Sequence, residues 1–158
     1  MSRLPSLGPR GEGWVVAQVV LFILIAGSGT AALSDGQGRS LVAFVAGVGA
    51  IVAGAGLVVR ATRDLRAGLT PFPRPAPGAA LVDSGAFRLI RHPIYAGFLL
   101  AGLGWSVVAG SIVTLALVGL LALLFDAKAR REEAWLTDAV PGYPAYRART
   151  RRFIPGVY

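Results

Sequence analysis

The sequence predicts an all-α, polytopic membrane helix bundle, and two observations carry that prediction. Of its 158 residues 54% are apolar and only 15% charged, against about 25% charged in an ordinary soluble domain. Every charged residue falls in 1–13, 34–40, 60–92 or 126–158, which leaves 14–33, 41–59 and 94–125 without one. The same composition excludes several function classes. The chain has no Cys, and His92 is its single histidine. A disulfide framework, a thiolate metal site, a Cys nucleophile and a multi-His centre are therefore ruled out, and no metal is expected. The hydrophobicity excludes disorder.

A bilayer core about 30 Å thick needs about 20 apolar helical residues to cross it. Residues 14–33 and 41–59 each fit one span. Arg3 and Arg10 ahead of an apolar run ending Gly27-Ser28-Gly29-Thr30-Ala31-Ala32 also fit a secretory signal; the run is kept here as a span. The third stretch is too long for one crossing, since its 32 residues make about 48 Å of helix. It carries Ala109-Gly110-Ser111 at its middle, and is read as two antiparallel spans, 94–109 and 111–125. The result is one membrane domain over 1–158, with four transmembrane helices followed by a C-terminal helix and tail. In the second span Ala46, Ala50 and Gly54 recur every four residues, a spacing that lets helix backbones approach closely in lipid.

Positive charge sets the orientation. The N-terminal tail, the 60–92 loop and the segment after 125 together hold fifteen of the sixteen Lys and Arg residues, and Arg39 alone lies in the first loop. By the positive-inside rule both termini and the long loop are cytoplasmic. Topology and the bilayer's anionic headgroups account for the basic excess, so no nucleic-acid partner is needed. Arginine outnumbers lysine 15 to 1 and Ala and Gly abound, which suggests a bacterial chromosome of high G+C content and a bacterial plasma membrane.

Chemistry then belongs to two cytoplasmic elements, 68–97 and 126–158. Arg60–Arg66 continues the second helix by a turn or two, and four prolines between Pro71 and Pro77 exclude helix there. Leu81–Phe87 reads as a turn leading to Arg91-His92-Pro93. Pro93 suits the first turn of a helix, where its missing N–H costs nothing. Arg91 and His92 therefore stand at a helix N-terminus, whose unpaired amides attract an anionic group. The fourth span is expected to run on through Glu133. Counted from Gly110, His92 lies 18 residues back, about 27 Å, and Glu132 lies 22 residues forward, about 33 Å. On antiparallel neighbours an Arg-His pair and a Glu-Glu pair end within about 6 Å along the axis. The bland alternatives are headgroup contact for Arg91-His92 and, for Glu132-Glu133, a solvated face with a Lys128–Glu132 ion pair at i, i+4.

Arg91-His92-Pro93-x-Tyr95-x-Gly97, a hydrophobic hairpin, Glu132-Glu133-x-x-Leu136, Tyr143-x-x-Tyr146 and Phe153-Ile154-Pro155 occur in that order. Together with the lead-in Leu81-Val82-x-x-Gly85-x-Phe87-Arg88, they resemble the isoprenylcysteine carboxyl methyltransferase family. That family belongs to a wider group of membrane methyltransferases that includes phospholipid N-methyltransferases. The resemblance covers roughly 68–158. It implies S-adenosylmethionine as cofactor, leaving as S-adenosylhomocysteine, with Arg91, His92, Pro93, Tyr95, Gly97, Glu132, Glu133 and Tyr146 as binding residues. It also implies catalytic parts for Arg91, for Glu133 as a proton acceptor, and for Lys128, which stands where the eukaryotic carboxyl methyltransferases carry an arginine. Lysine cannot reproduce a bidentate grip on a carboxylate, so prenylcysteine is not the expected acceptor. A lipophilic or small acceptor with a carboxylate, amine or thiol is expected instead.

Two other classes compete. A reductase like the sterol reductases would use NADPH, but no Gly-rich dinucleotide fingerprint is present. A non-catalytic scaffold or transporter subunit is the other; transporters place ionisable groups within their spans, and these spans have none.

Overall fold

The computed structural model describes residues 5–34, 40–65, 70–75, 78 and 80–158. Arg3, Arg39 and Arg66 of the charge count lie outside the described residues, as do Ala76 and Pro77 of the proline-rich stretch. Among the described residues the chain forms α1 (Glu12–Ser34), α2 (Leu41–Leu65), a single 3₁₀ turn (Gly85–Arg88), α3 (Pro93–Ala109), α4 (Ile112–Ala139) and α5 (Tyr143–Arg149). The β structure among them is one isolated parallel bridge, Ile90 to Arg151.

Helices α1, α2 and α4 are long and apolar enough to cross a membrane, whereas α3 is equally apolar but shorter, at 17 residues. Val42 is 78% exposed, Leu123 69% and Ile23 65%. An apolar surface of that extent belongs in hydrocarbon, and the chain is a membrane protein.

The break between α3 and α4 falls at the expected place. Gly110 takes a left-handed C-cap at φ 61°, a conformation glycine adopts without strain. Ser111 then caps α4, its hydroxyl accepting from the Thr114 amide at 3.1 Å. At its far end α4 runs on past Phe125 and through Glu133 as expected, and continues to Ala139, 28 residues in all. Leaving the apolar environment does not end a helix; a breaker does, and the first is Pro141-Gly142. Over the charged stretch Arg130 bonds Asp126 one turn back, at 2.7 Å.

The α2–α3 contact keeps part of the expected stripe: Gly54 is buried in it and Ala50 faces Gly104. Ala46 is exposed, and the buried positions of α2 are Gly47, Gly54 and Ala61, spaced by seven rather than four. Seven residues are two turns, so this spacing keeps one face on an antiparallel neighbour. A β-carbon at Gly47 would stand 2.8 Å from the Gly104 carbonyl oxygen, and one at Gly54 would stand 2.5 Å from that of Gly97. The backbones themselves form this interface.

Helix α4 packs against α1 and α3 around Ile25, Val118, Leu121 and Phe125. Polar ties run across these helices: Trp105 Nε1 donates to the Ile25 carbonyl at 3.0 Å, and the Ser28 and Thr114 hydroxyls meet at 2.9 Å. The register brings Gln18, the N-terminus of α3 and the charged extension of α4 together at one end of the bundle.

Candidate active site

A cavity of about 400 Å³ opens at that charged end. Its walls come from α1 (Gln18), the end of α2 (Val58, Thr62), the proline-rich loop (Pro71, Phe72), the start of α3 (His92–Tyr95, Phe98), α4 (Lys128, Glu132, Leu136) and α5 (Tyr143, Tyr146). Pro93 occupies the first turn of α3 as expected, so the amides that a helix cannot pair internally belong to the turn lining the cavity.

The two motifs meet. Tyr95 Oη donates to Glu132 Oε2 at 2.9 Å, and His92 Nδ1 lies 3.8 Å from the same oxygen. The His92 ring stacks on Tyr95 at 5.3 Å, and Tyr95 stacks on Phe125 at 4.5 Å. This aromatic column fixes the orientation of both polar rings. Glu132 Oε1 has no hydrogen-bond partner among the described residues.

Glu133 is placed differently from its neighbour. It is 1% exposed and does not line the cavity. Its carboxylate gathers Arg91 Nε at 2.9 Å, His92 Nε2 at 3.2 Å, Arg152 Nη2 at 3.1 Å and Arg147 Nε at 3.5 Å. Burial pushes this carboxyl up, but hydrogen bonds from His92 and Arg152 and the surrounding charge outweigh it. The net effect holds Glu133 well below the usual carboxylate range. An acceptor so fully engaged is badly suited to take a proton, which corrects the expectation of Glu133 as base. Of the two glutamates, Glu132 is the one that faces the cavity.

Arg91 lines the cavity, but its guanidinium is committed to Glu133 and to the carbonyls of Arg147 and Thr150. Gly97 lies outside the cavity, against α2, where a side chain would collide with Gly54 and Val58. The Tyr146 ring lines the cavity while its hydroxyl donates to the Phe87 carbonyl at 2.7 Å; burial pushes that phenol up to about 12. The Lys128–Glu132 pair of the bland alternative is not among the ion pairs of the described residues. Lys128 is 2% exposed and donates to Gln18 Oε1 at 2.7 Å and to the Pro71 carbonyl at 3.1 Å. Its ammonium stands 5.2 Å over the Tyr95 ring, a cation–π contact. It joins α1, the loop and α4 at one point.

Sequence reasoning missed three participants. Gln18 carried a signal, being a lone amide in the apolar run of the first span. Arg152 bonds both Glu133 and Asp126, and Tyr158 donates to Asp126 at 2.7 Å. Their alignment comes from the backbone: the Arg91 and His92 amides donate to the Arg151 and Arg152 carbonyls at 2.8 and 3.1 Å. Among the described residues no group of three or more His, Asp or Glu side chains could hold a metal ion.

Fold and site together define a helical membrane protein with a mixed polar and apolar cavity at the charged end of its bundle. The family model for phospholipid methyltransferases matches residues 42–140, well over half of the chain. The chain belongs to the phospholipid methyltransferase family. It is 38% identical over 76 residues to the cobalt-zinc-cadmium resistance protein CzcN of Cupriavidus metallidurans, a match covering 48% of this chain and 35% of that protein. The chain thus matches about a third of the length of this curated relative. No solved structure matches the chain.

Proposed function

We propose that the chain is an S-adenosylmethionine-dependent methyltransferase, similar to the isoprenylcysteine carboxyl methyltransferases, acting on a lipophilic or small acceptor. In this reading α3 is the fourth crossing, its length made up by close packing on α2. The charged end, both termini and the cavity face the cytoplasm of a bacterial cell. The observation that carries the reading is the single cavity wall on which Glu132, Tyr95, His92 and Lys128 stand beside an apolar slot.

The residues present fit the donor. The cavity volume of about 400 Å³ lies in the range of cofactor sites, roughly 300–1,000 Å³. When bound, S-adenosylmethionine supplies a methyl group on a sulfonium and leaves as S-adenosylhomocysteine. Glu132 Oε1 can accept from the donor's ammonium or ribose hydroxyls, and the first turn of α3 suits its carboxylate. Tyr95, fixed between His92 and Phe125, orients Glu132 through its hydroxyl. Arg91, Arg152 and Glu133 hold His92 and the tail in place rather than touch the reaction. The work left to the protein is alignment and exclusion of water. Lys128 and the Pro71 loop close the side nearest α1. With a carboxylate acceptor no proton needs a home.

Calorimetric titration of the detergent-purified protein with S-adenosylmethionine and, separately, NADPH tests the reading. Saturable binding of the first alone, weakened at least about tenfold by Glu132→Ala, is expected; about tenfold corresponds to one charge-assisted hydrogen bond. Binding of NADPH alone would make the chain a reductase, and binding of neither would leave a scaffold.

A further inference from the structure

Tyr143 opens α5 after the left-handed Gly142 and buries its ring among Val140, Tyr146, Leu81 and Leu136, leaving it 3% exposed. It lines the cavity, yet its hydroxyl has no hydrogen-bond partner among the described residues. Tyr146, equally buried one turn on, has its own hydroxyl satisfied by the Phe87 carbonyl. A buried, unpaired hydroxyl is costly, and phenylalanine would fill the same space without that cost. The atom therefore calls for a partner that enters from the cavity. Burial and the charges of Glu133 and Glu132 push the phenol up, so it is a neutral donor at any working pH.

The surroundings define the partner. The polar groups Glu132, Tyr95, His92 and Lys128 line the cavity from α3 and α4, whereas Leu81, Leu136 and Val140 pack around Tyr143. A largely apolar slot with one unpaired hydroxyl suits a flat, apolar-faced heterocycle that presents a ring acceptor to it. Resting on the donor reading above, we infer that Tyr143 anchors the purine end of the nucleoside, its hydroxyl donating a hydrogen bond to a ring nitrogen. Tyr143 is then a binding residue that fixes which way round the nucleoside lies, with its amino-acid end at Glu132.

The test uses the full-length protein in detergent and S-adenosylhomocysteine as probe. Tyr143→Phe should weaken binding about 3–10-fold, the scale of one neutral hydrogen bond. Its melting temperature should stay level or rise, since no protein contact is lost. Tyr146→Phe, which loses the bond to Phe87, should melt lower. Analogues in which carbon replaces one ring nitrogen at a time identify the acceptor: one should bind the wild type about as weakly as Tyr143→Phe binds the parent compound. That analogue should lose nothing further on Tyr143→Phe. Unchanged affinity in Tyr143→Phe, or equal losses with every analogue, overturns the assignment. Failure of the wild type to bind S-adenosylhomocysteine at all would instead overturn the donor reading on which it rests.

Discussion

Glu133→Gln isolates the electrostatic knot behind the cavity. The Glu133 side chain is 2% exposed and faces Arg91 and Arg152, whose side chains are 9% and 11% exposed. Removing one partner of a buried ion pair costs about 3–5 kcal/mol, because the remaining charge stays desolvated. Two contacts moderate that cost here. Arg152 keeps Asp126 at 2.7 Å, and Arg91 keeps the Arg147 carbonyl at 3.1 Å. The lower end, about 3 kcal/mol, is therefore expected. For a chain of this size that is a fall of about 6–12 °C in melting temperature, followed by circular dichroism in detergent at pH 7. Adding Arg152→Met removes one stranded cation, so the double variant should lose less than the sum of the singles, by at least about 1 kcal/mol. A drop below about 1 kcal/mol for Glu133→Gln, or strict additivity, would refute the cluster's role in stability.

Because the folded pKa of Glu133 is depressed, its contribution is complete above the usual carboxylate value, about 4.3, and is lost only as acid titrates the folded carboxylate. The melting gap between wild type and Glu133→Gln should thus stay constant from neutral pH down to about 5 and narrow below about 4; a gap that widens in acid contradicts this. Gly54→Ala should cost about 1–3 kcal/mol by forcing α2 and α3 apart. Gly56→Ala, with nothing within 4 Å of the new carbon, should leave the melting temperature level or raise it. Equal effects would show that the α2–α3 contact is not close. Lys128→Met should leave S-adenosylmethionine affinity within about threefold while slowing labelled methyl transfer to lipid extract by about tenfold or more. Equal losses would place Lys128 in the donor site.

Much of the bundle could be read from the sequence because lipid punishes charge so heavily. The three charge-free stretches became helices, and the turn at Gly110-Ser111 announced itself by its residue types. That α4 runs on past Phe125 through Glu133 could be expected from its short apolar part, whereas its end at Ala139 is set by the breaker Pro141-Gly142 rather than by the change from apolar to charged residues. The α2 stripe was legible in part: Ala50 and Gly54 stand at the α3 contact but Ala46 does not, because a spacing of four drifts off the contacting face. Only the partner reveals that Gly47 shares that face with Gly54. In the site, the approach of His92 to Glu132 follows from helical rise; the bond from Tyr95 does not, since by the same count Tyr95 falls about 10 Å short of Glu132. The grip of Lys128 on Gln18 and Pro71, and of Arg152 on Glu133, does not follow from it either: these partners are distant in sequence, and no local pattern pairs them. The separation of Glu132 from Glu133 was equally hidden, because adjacent residues on a helix point about 100° apart and the sequence does not say which one faces inward.

The bridge from Ile90 to Arg151 also bears on the order in which the partners of Glu133 are supplied. Synthesis runs from the N-terminus, so the facing backbones of α2 and α3 exist before α4 has been made. Arg152 is delivered last among the partners of Glu133. Until it docks, the newly made carboxylate can count on Arg91 and His92 but lacks the link to Asp126. The membrane part of the protein can therefore be in place while the chemical part is still open, and the closing step is the arrival of a short basic stretch rather than the insertion of a helix.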